Sequence, residues 1–178
     1  KSNDIAIYEQ EIVLRIRQIS MEQKQIKSLE FFIKNIKTIV KKEINEIKKL
    51  AFVKDIGVDS RGIKVSVGEI FIMHPDTKKN LFIGDFDIFI NPLNITFDNK
   101  CMIPNIKYLH PHINENSVCF GNRKDKIKEL LALNKYKELV YFLYLYLKSY
   151  NPTDRYVSID YWLDHPRNKV TEKKDEKK

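Results

Sequence analysis

The chain has 178 residues, 43% of them hydrophobic, and a net charge of +8. That length holds one domain with an appendage or two small domains, and that apolar share argues against wholesale disorder. No apolar run approaches the roughly 20 residues of a membrane helix, and the N-terminus lacks the layout of a secretory signal. Two cysteines, Cys101 and Cys119, are too few for a disulfide scaffold and point to a reducing, cytoplasmic setting.

Residues 1–50 hold 11 basic and 7 acidic side chains, a net +4. Residues 165–178 hold 6 and 3, a net +3, and the middle, 51–164, holds 15 and 14, a net +1. The excess sits in an N-terminal arm and a C-terminal tail. A basic arm can bind nucleic acid or an acidic protein, or it can be a solvated face. Nucleic-acid binding calls for interleaved aromatic or arginine side chains, and this arm is rich in lysine and striped with isoleucine instead.

Residues 1–56 contain no Gly and no Pro. Ile5, Ile12, Ile19, Ile26 and Ile33 recur every seven residues, followed by Val40 and Ile47. The row three positions on is mixed: Tyr8, Arg15, Glu22, Leu29, Ile36, Glu43 and Leu50. One apolar row beside one interrupted row predicts a long amphipathic helix or two shorter ones, with a partner helix for the first part. Residues 1–35 are read as a helical extension, coiled-coil-like in pattern. Residues 36–166 are read as the domain, and 167–178 as a charged, disordered tail.

After Gly57 the texture changes. Residues 62–73, "GIKVSVGEIFIM", and 81–92, "LFIGDFDIFINP", alternate and read as strands, with a polar turn at 74–80 between them. "NITFDNK" and "PNIKYL" are short strand candidates. Residues 124–150 form a strongly apolar helix with a break near Asn134, and "NPTD" at 151–154 stops it. Residues 155–166 predict a final short helix. The order gives an α+β fold: about four antiparallel strands with helices packed on one side.

Between strands and helix lies "YLHPHINENSVCFGN", residues 108–122. Cys101, His110, His112 and Cys119 are four ligands of the kinds zinc takes, but they lack the paired spacings of zinc sites. A cysteine hydrolase needs a histidine distant in sequence, whereas His110 and His112 are local. A small buried thiol between Val118 and Phe120 is the commonest arrangement for a lone cysteine. Against it, Asn114, Glu115, Asn116, Asn122 and Arg123 make this a polar loop that would expose the sulfur.

"PNIKYLHPHINENSVCFGN" resembles the active-site segment of the ubiquitin-conjugating enzymes, which runs from a proline turn through His-Pro-Asn to the catalytic cysteine. "FIGDFDIFINP" is similar to that family's second strand, and "SYNPTDRY" to the end of its crossover helix and the turn after it. The likeness covers residues 36–164 in collinear order. It lies nearest the divergent ubiquitin-conjugating-like (UBC-like) proteins of bacteria and mobile elements. The resemblance implies a UBC-like fold and an acyltransferase that carries a ubiquitin-like modifier as a thioester on Cys119. It implies an activating enzyme and a protein substrate as partners, and no cofactor or metal. His110 and Pro111 fall on the first two motif residues, with Asn122 also supporting the loop, and Asp154 falls on the acidic residue that faces the cysteine. His112 replaces the asparagine that would support the oxyanion, so its imidazole N–H, or the amide of Asn114, Asn116 or Asn122, is the expected donor. A non-catalytic scaffold of the same fold, docking through its N-terminal helix, is the alternative. Self-association or partner binding through that helix is expected.

Overall fold

The computed structural model describes residues 2–59, 62–91, 93–101, 107–114 and 117–169; the side chains of residues 2–7, 9 and 32 lie outside that description. The chain divides into two compact units, Lys1–Lys42 and Glu43–Lys178. Helix α1 (Ser2–Ile47) runs unbroken past residue 35, where the sequence pattern placed a boundary. Nothing in its sequence stops it, since Gly and Pro are both absent. Among the described residues no helix is long and apolar enough to cross a membrane.

The second unit is α+β. Its sheet is a four-stranded antiparallel meander, β1 (Asp55–Asp59), β2 (Gly62–Met73), β3 (Asn80–Ile90) and β4 (Ile95–Asn99), in that order. The β2–β3 register sets Ile63 opposite Ile90 and Val65 opposite Ile88, all buried. On the other face Ser66 donates to Asp87 at 2.6 Å, and Lys64 and Lys100 each reach that carboxylate at 2.7 Å. Burial opposes ionisation of Asp87, but Lys100, Lys64 and Ser66 outweigh it and hold the carboxyl below its ordinary range.

β1 was not expected: it is short and mostly exposed, and its Asp-Ile-Gly-Val-Asp sequence carries little strand signal. Residues 102–106, which include the first half of the "PNIKYL" candidate, lie outside the described residues.

Beyond β4 the chain forms a two-stranded hairpin, β5 (Tyr108–His110) with β6 (Ile113–Asn114). Asn99 ties it to the sheet, donating to the carbonyls of Ile83 at 3.2 Å and Leu109 at 2.9 Å. That amide lies on Gly84, where a Cβ would stand 2.1 Å from Asn99 Oδ1, so only glycine fits.

Two helices follow, α2 (Lys124–Ala132) and α3 (Tyr136–Leu147). Asn134, at φ 54°, turns the chain between them. α3 buries Leu139, Val140, Leu143, Tyr146 and Leu147, one face of a 3.6-residue repeat. Its first turn lacks a local side-chain cap, and Glu43 from α1 accepts the Lys137 N–H at 2.8 Å instead.

The expected final helix is a single 3-10 turn, Ile159–Trp162, whose Trp162 indole donates to the Ile83 carbonyl at 2.9 Å. Residues 167–169, the described part of the segment expected as a tail, are held to the domain. Buried Asn168 bonds both main-chain groups of Phe82, and Arg167 makes a two-point pair with Glu69. Residues 170–178, which hold the rest of the expected disordered tail, lie outside the described residues.

Candidate active site

The loop carrying Cys119 is held from below by the β5–β6 hairpin. His110 is fully buried, and its Nε2–H donates to the Leu147 carbonyl at 2.9 Å. Its Nδ1 accepts the His112 N–H at 3.1 Å. Burial, with the neighbouring His112, drives its pKa down to about 3, so the ring is neutral. The Pro111 carbonyl accepts the Tyr156 N–H at 2.9 Å, which anchors the segment after the "NPTD" turn. His110 and Pro111 therefore hold the loop through specific bonds.

Above the hairpin, Ile113 bridges Val118, and the Cys119 N–H donates to the His112 carbonyl at 2.9 Å. Tyr146 on α3 clasps both ends of this closure. Its hydroxyl donates to the carbonyls of His112 at 3.1 Å and Cys119 at 3.0 Å. Burial raises this phenol well above its ordinary range, so it stays a donor.

The acidic partner comes from the turn after α3. Asn151 Oδ1 accepts from the Thr153 N–H at 3.1 Å and the Thr153 hydroxyl at 2.8 Å, an Asx turn with Pro152 inside it. This turn brings Asp154 to the sulfur: Cys119 Sγ donates to Asp154 Oδ1 at 2.8 Å. Gly121 makes room from the other side. It sits at φ +53°, and a Cβ there would lie 2.6 Å from Asp154 Oδ2. The thiol is pushed up, first by its hydrogen bond to Asp154 and then by burial and the carboxylate's charge, while the Gly121 N–H pulls it the other way.

His112 stands elsewhere than its expected role requires. It is buried, with Nδ1 against the Asp154 carbonyl and Nε2 accepting the Asn151 N–H at 3.0 Å. A carbonyl only accepts, so Nδ1 carries the hydrogen. No ring N–H remains for an oxyanion in this arrangement. The imidazole is instead a strut joining the cysteine loop to the Asp154 turn. In this tautomer it presents one donor and one acceptor, as a primary amide does. Burial lowers its pKa and keeps it neutral.

Of the amides expected to serve instead, Asn114 caps its own loop through the Ser117 N–H at 2.6 Å, and Asn116 lies outside the described residues. Asn122, on the 3-10 turn Gly121–Arg123, is exposed and lines the same cleft of about 80 Å³ as Cys119, Arg123, Asn151 and Asp154. Both rings of the histidine pair are committed to main-chain groups, and among the described residues no cluster of three or more His, Cys, Asp or Glu is placed to hold a metal ion.

Sequence reasoning missed Tyr146, Asn151 and Gly121. Tyr146 is one tyrosine among many on an apolar helix and carries no local signal. Gly121, a lone glycine two residues after the cysteine, did carry one: such positions often need a positive φ.

No family model matches the chain, and no curated protein and no solved structure matches it either. What the fold and the site define is an α+β protein with a four-stranded antiparallel sheet and a long N-terminal helix. It presents a thiol and a carboxylate 2.8 Å apart at the rim of a polar cleft.

Proposed function

We propose that this chain is a ubiquitin-conjugating-like acyltransferase. It takes the activated carboxyl terminus of a ubiquitin-like modifier as a thioester on Cys119 and passes it to an amine. The observation that carries this reading is the Cys119–Asp154 contact at 2.8 Å, in a loop with the order of elements described above. In the first step the sulfur attacks the carbonyl of the modifier's thioester with its activating enzyme. A C–S bond forms, the activating enzyme's C–S bond breaks, and its thiolate receives the proton that leaves Cys119. Acyl exchange between thiols favours the weaker acid as the acyl holder, because the lower-pKa thiol leaves faster. The raised Cys119 pKa acts in that direction.

Once the thioester forms, Asp154 has no thiol proton to accept and is free to take one from an incoming amine. The C–N bond forms, the C–S bond breaks, and the proton passes through the carboxylate back to sulfur. The Gly121 N–H and the Asn122 amide are the donors we assign to the oxyanion. The groove beside the loop, lined by Asn94, Thr96, Phe97, Asn114, Ser117 and Val118 with a volume of about 180 Å³, offers a path of mixed polar and apolar character for the approaching terminus.

The test is a loading assay with activating enzyme, ATP and modifier, or with a C-terminal aryl thioester of ubiquitin as a surrogate donor. A reductant-sensitive adduct is expected. Cys119→Ala should abolish it and Cys101→Ala should leave it. An adduct that survives Cys119→Ala overturns the assignment. The engagement of both His112 nitrogens favours a second reading, a docking module without chemistry. A chain that folds and never loads would establish that reading.

A further inference from the structure

The unit Lys1–Lys42 carries a feature that the chemistry at Cys119 does not use. The isoleucine row of α1 lies open: Ile12 is 56% exposed, Ile19 53%, Ile26 55% and Ile33 51%. Tyr8 and Leu29, in the companion row, are 65% and 60% exposed. A monomer rarely displays a continuous apolar seam of this length, and a lone helix in water gains most of its stability from packing such a face.

Two charged residues interrupt the companion row, Arg15 and Glu22. They decide which partner the seam fits. In a parallel, in-register pair of two copies, Arg15 would face Arg15 and Glu22 would face Glu22. In an antiparallel pair the isoleucine row of one helix meets the companion row of the other. Tyr8 then meets Ile33 of the second copy, Ile12 meets Leu29, Ile26 meets Arg15 and Ile19 meets Glu22. This alignment also brings Arg15 within about one turn of the second copy's Glu22, so the two interrupting charges neutralise each other.

The distribution of charge along the arm points the same way. Residues 2–14 hold three acidic and no basic side chains. Residues 27–42 hold five lysines and one acidic residue, Glu30. Antiparallel alignment lays the acidic end of one arm along the basic end of the other, and parallel alignment stacks lysines on lysines. The helix dipoles also oppose each other, which is the favourable sense.

We propose that the arm is a dimerisation surface for a second copy of this chain, paired antiparallel about the segment between Ile19 and Glu22. The arm alone carries this inference; it does not depend on the thioester reading. Sedimentation equilibrium of the full chain should give a mass twice the 21.2 kDa of one chain. Orientation is read by disulfide trapping in an equal mixture of Ile12→Cys and Leu29→Cys chains, with peptide mapping of the products. Both sites are exposed, so the fold is spared. A 12–29 cross-link at least about ten-fold above any 12–12 cross-link is expected. Ile19→Lys and Ile19→Glu give an independent reading. In the antiparallel pair the lysine variant meets Glu22 and should dimerise at least ten-fold more tightly than the glutamate variant. A single-chain mass, a dominant 12–12 cross-link, or equal loss of dimer in both Ile19 variants overturns the proposal.

Discussion

Asp154 faces Cys119 with two opposed effects. Before loading it holds the thiol proton and suppresses the thiolate; after loading it serves the amine. Asp154→Asn should therefore shift the pH midpoint of Cys119 alkylation by iodoacetamide downward, and raise the alkylation rate several-fold at pH 8. The same substitution should slow single-turnover discharge onto free lysine by about 10²-fold, the usual contribution of a placed base. If alkylation and discharge slow together, Asp154 positions the loop and does not move protons. The polar loop around Cys119 was legible in the sequence itself, whereas Asp154 was set opposite it only through the resemblance of "SYNPTDRY" to a family turn. The part played by His112 was not legible. Its tautomer is fixed by the Asp154 carbonyl and the Asn151 N–H, some forty residues away, and no local pattern reports them.

His110 connects elements, joining β5 to the last turn of α3 through the Leu147 carbonyl. An unfolded chain protonates this histidine near pH 6.5, whereas the folded one resists until about pH 3. Between those values the unfolded state binds the extra proton. The stability is whole above pH 6.5 and is lost as pH falls toward 3. At pH 4.5 the loss from this one ring is on the order of 2–3 kcal/mol. His112 and His165, also lowered by burial, act in the same sense. Urea midpoints should fall between pH 7 and pH 4.5, and His110→Gln should flatten that fall even if it lowers stability at both pH values. An unchanged slope would place the acid sensitivity elsewhere. β2, β3 and β4 were readable because they are rich in β-branched and aromatic residues that alternate over part of each strand. β1 was not, since pairing with β2 and not its own residues makes it a strand.

At the scale of the molecule, the division at Lys42/Glu43 makes a sharp demand on truncation. A chain beginning at Glu43 keeps Ile47, which is fully buried, and the Glu43 carboxylate on the Lys137 N–H. A chain beginning at Lys48 loses both. The first should match the full chain in denaturant midpoint. The second should lose about 3–5 kcal/mol, from the apolar side chain and the cap together. Equal midpoints for the two truncations would show that α1 contributes nothing to the unit. The sequence reading divided the chain at residue 35 because the stretch before it is too long to lie on its own domain, although the isoleucine row passes that point without a change of texture. Which residues of one continuous helix belong to the second unit is decided by Glu43, Glu46 and Ile47 meeting α3 and the core, and periodicity cannot show that.

Cys119 and Asp154 meet across 35 positions of chain, and most of that span is α2 and α3. Helices transmit length changes as rotation. One residue inserted within either would turn everything after it by about 100° and advance it by about 1.5 Å. Seven would restore the facing to within about 20° but displace the turn by about 10 Å. No insertion within either helix leaves the carboxylate where it is. The segment Lys124–Leu147 thus works as a ruler, and descendants of this chain are free to change length in the 74–80 turn far more readily than within it.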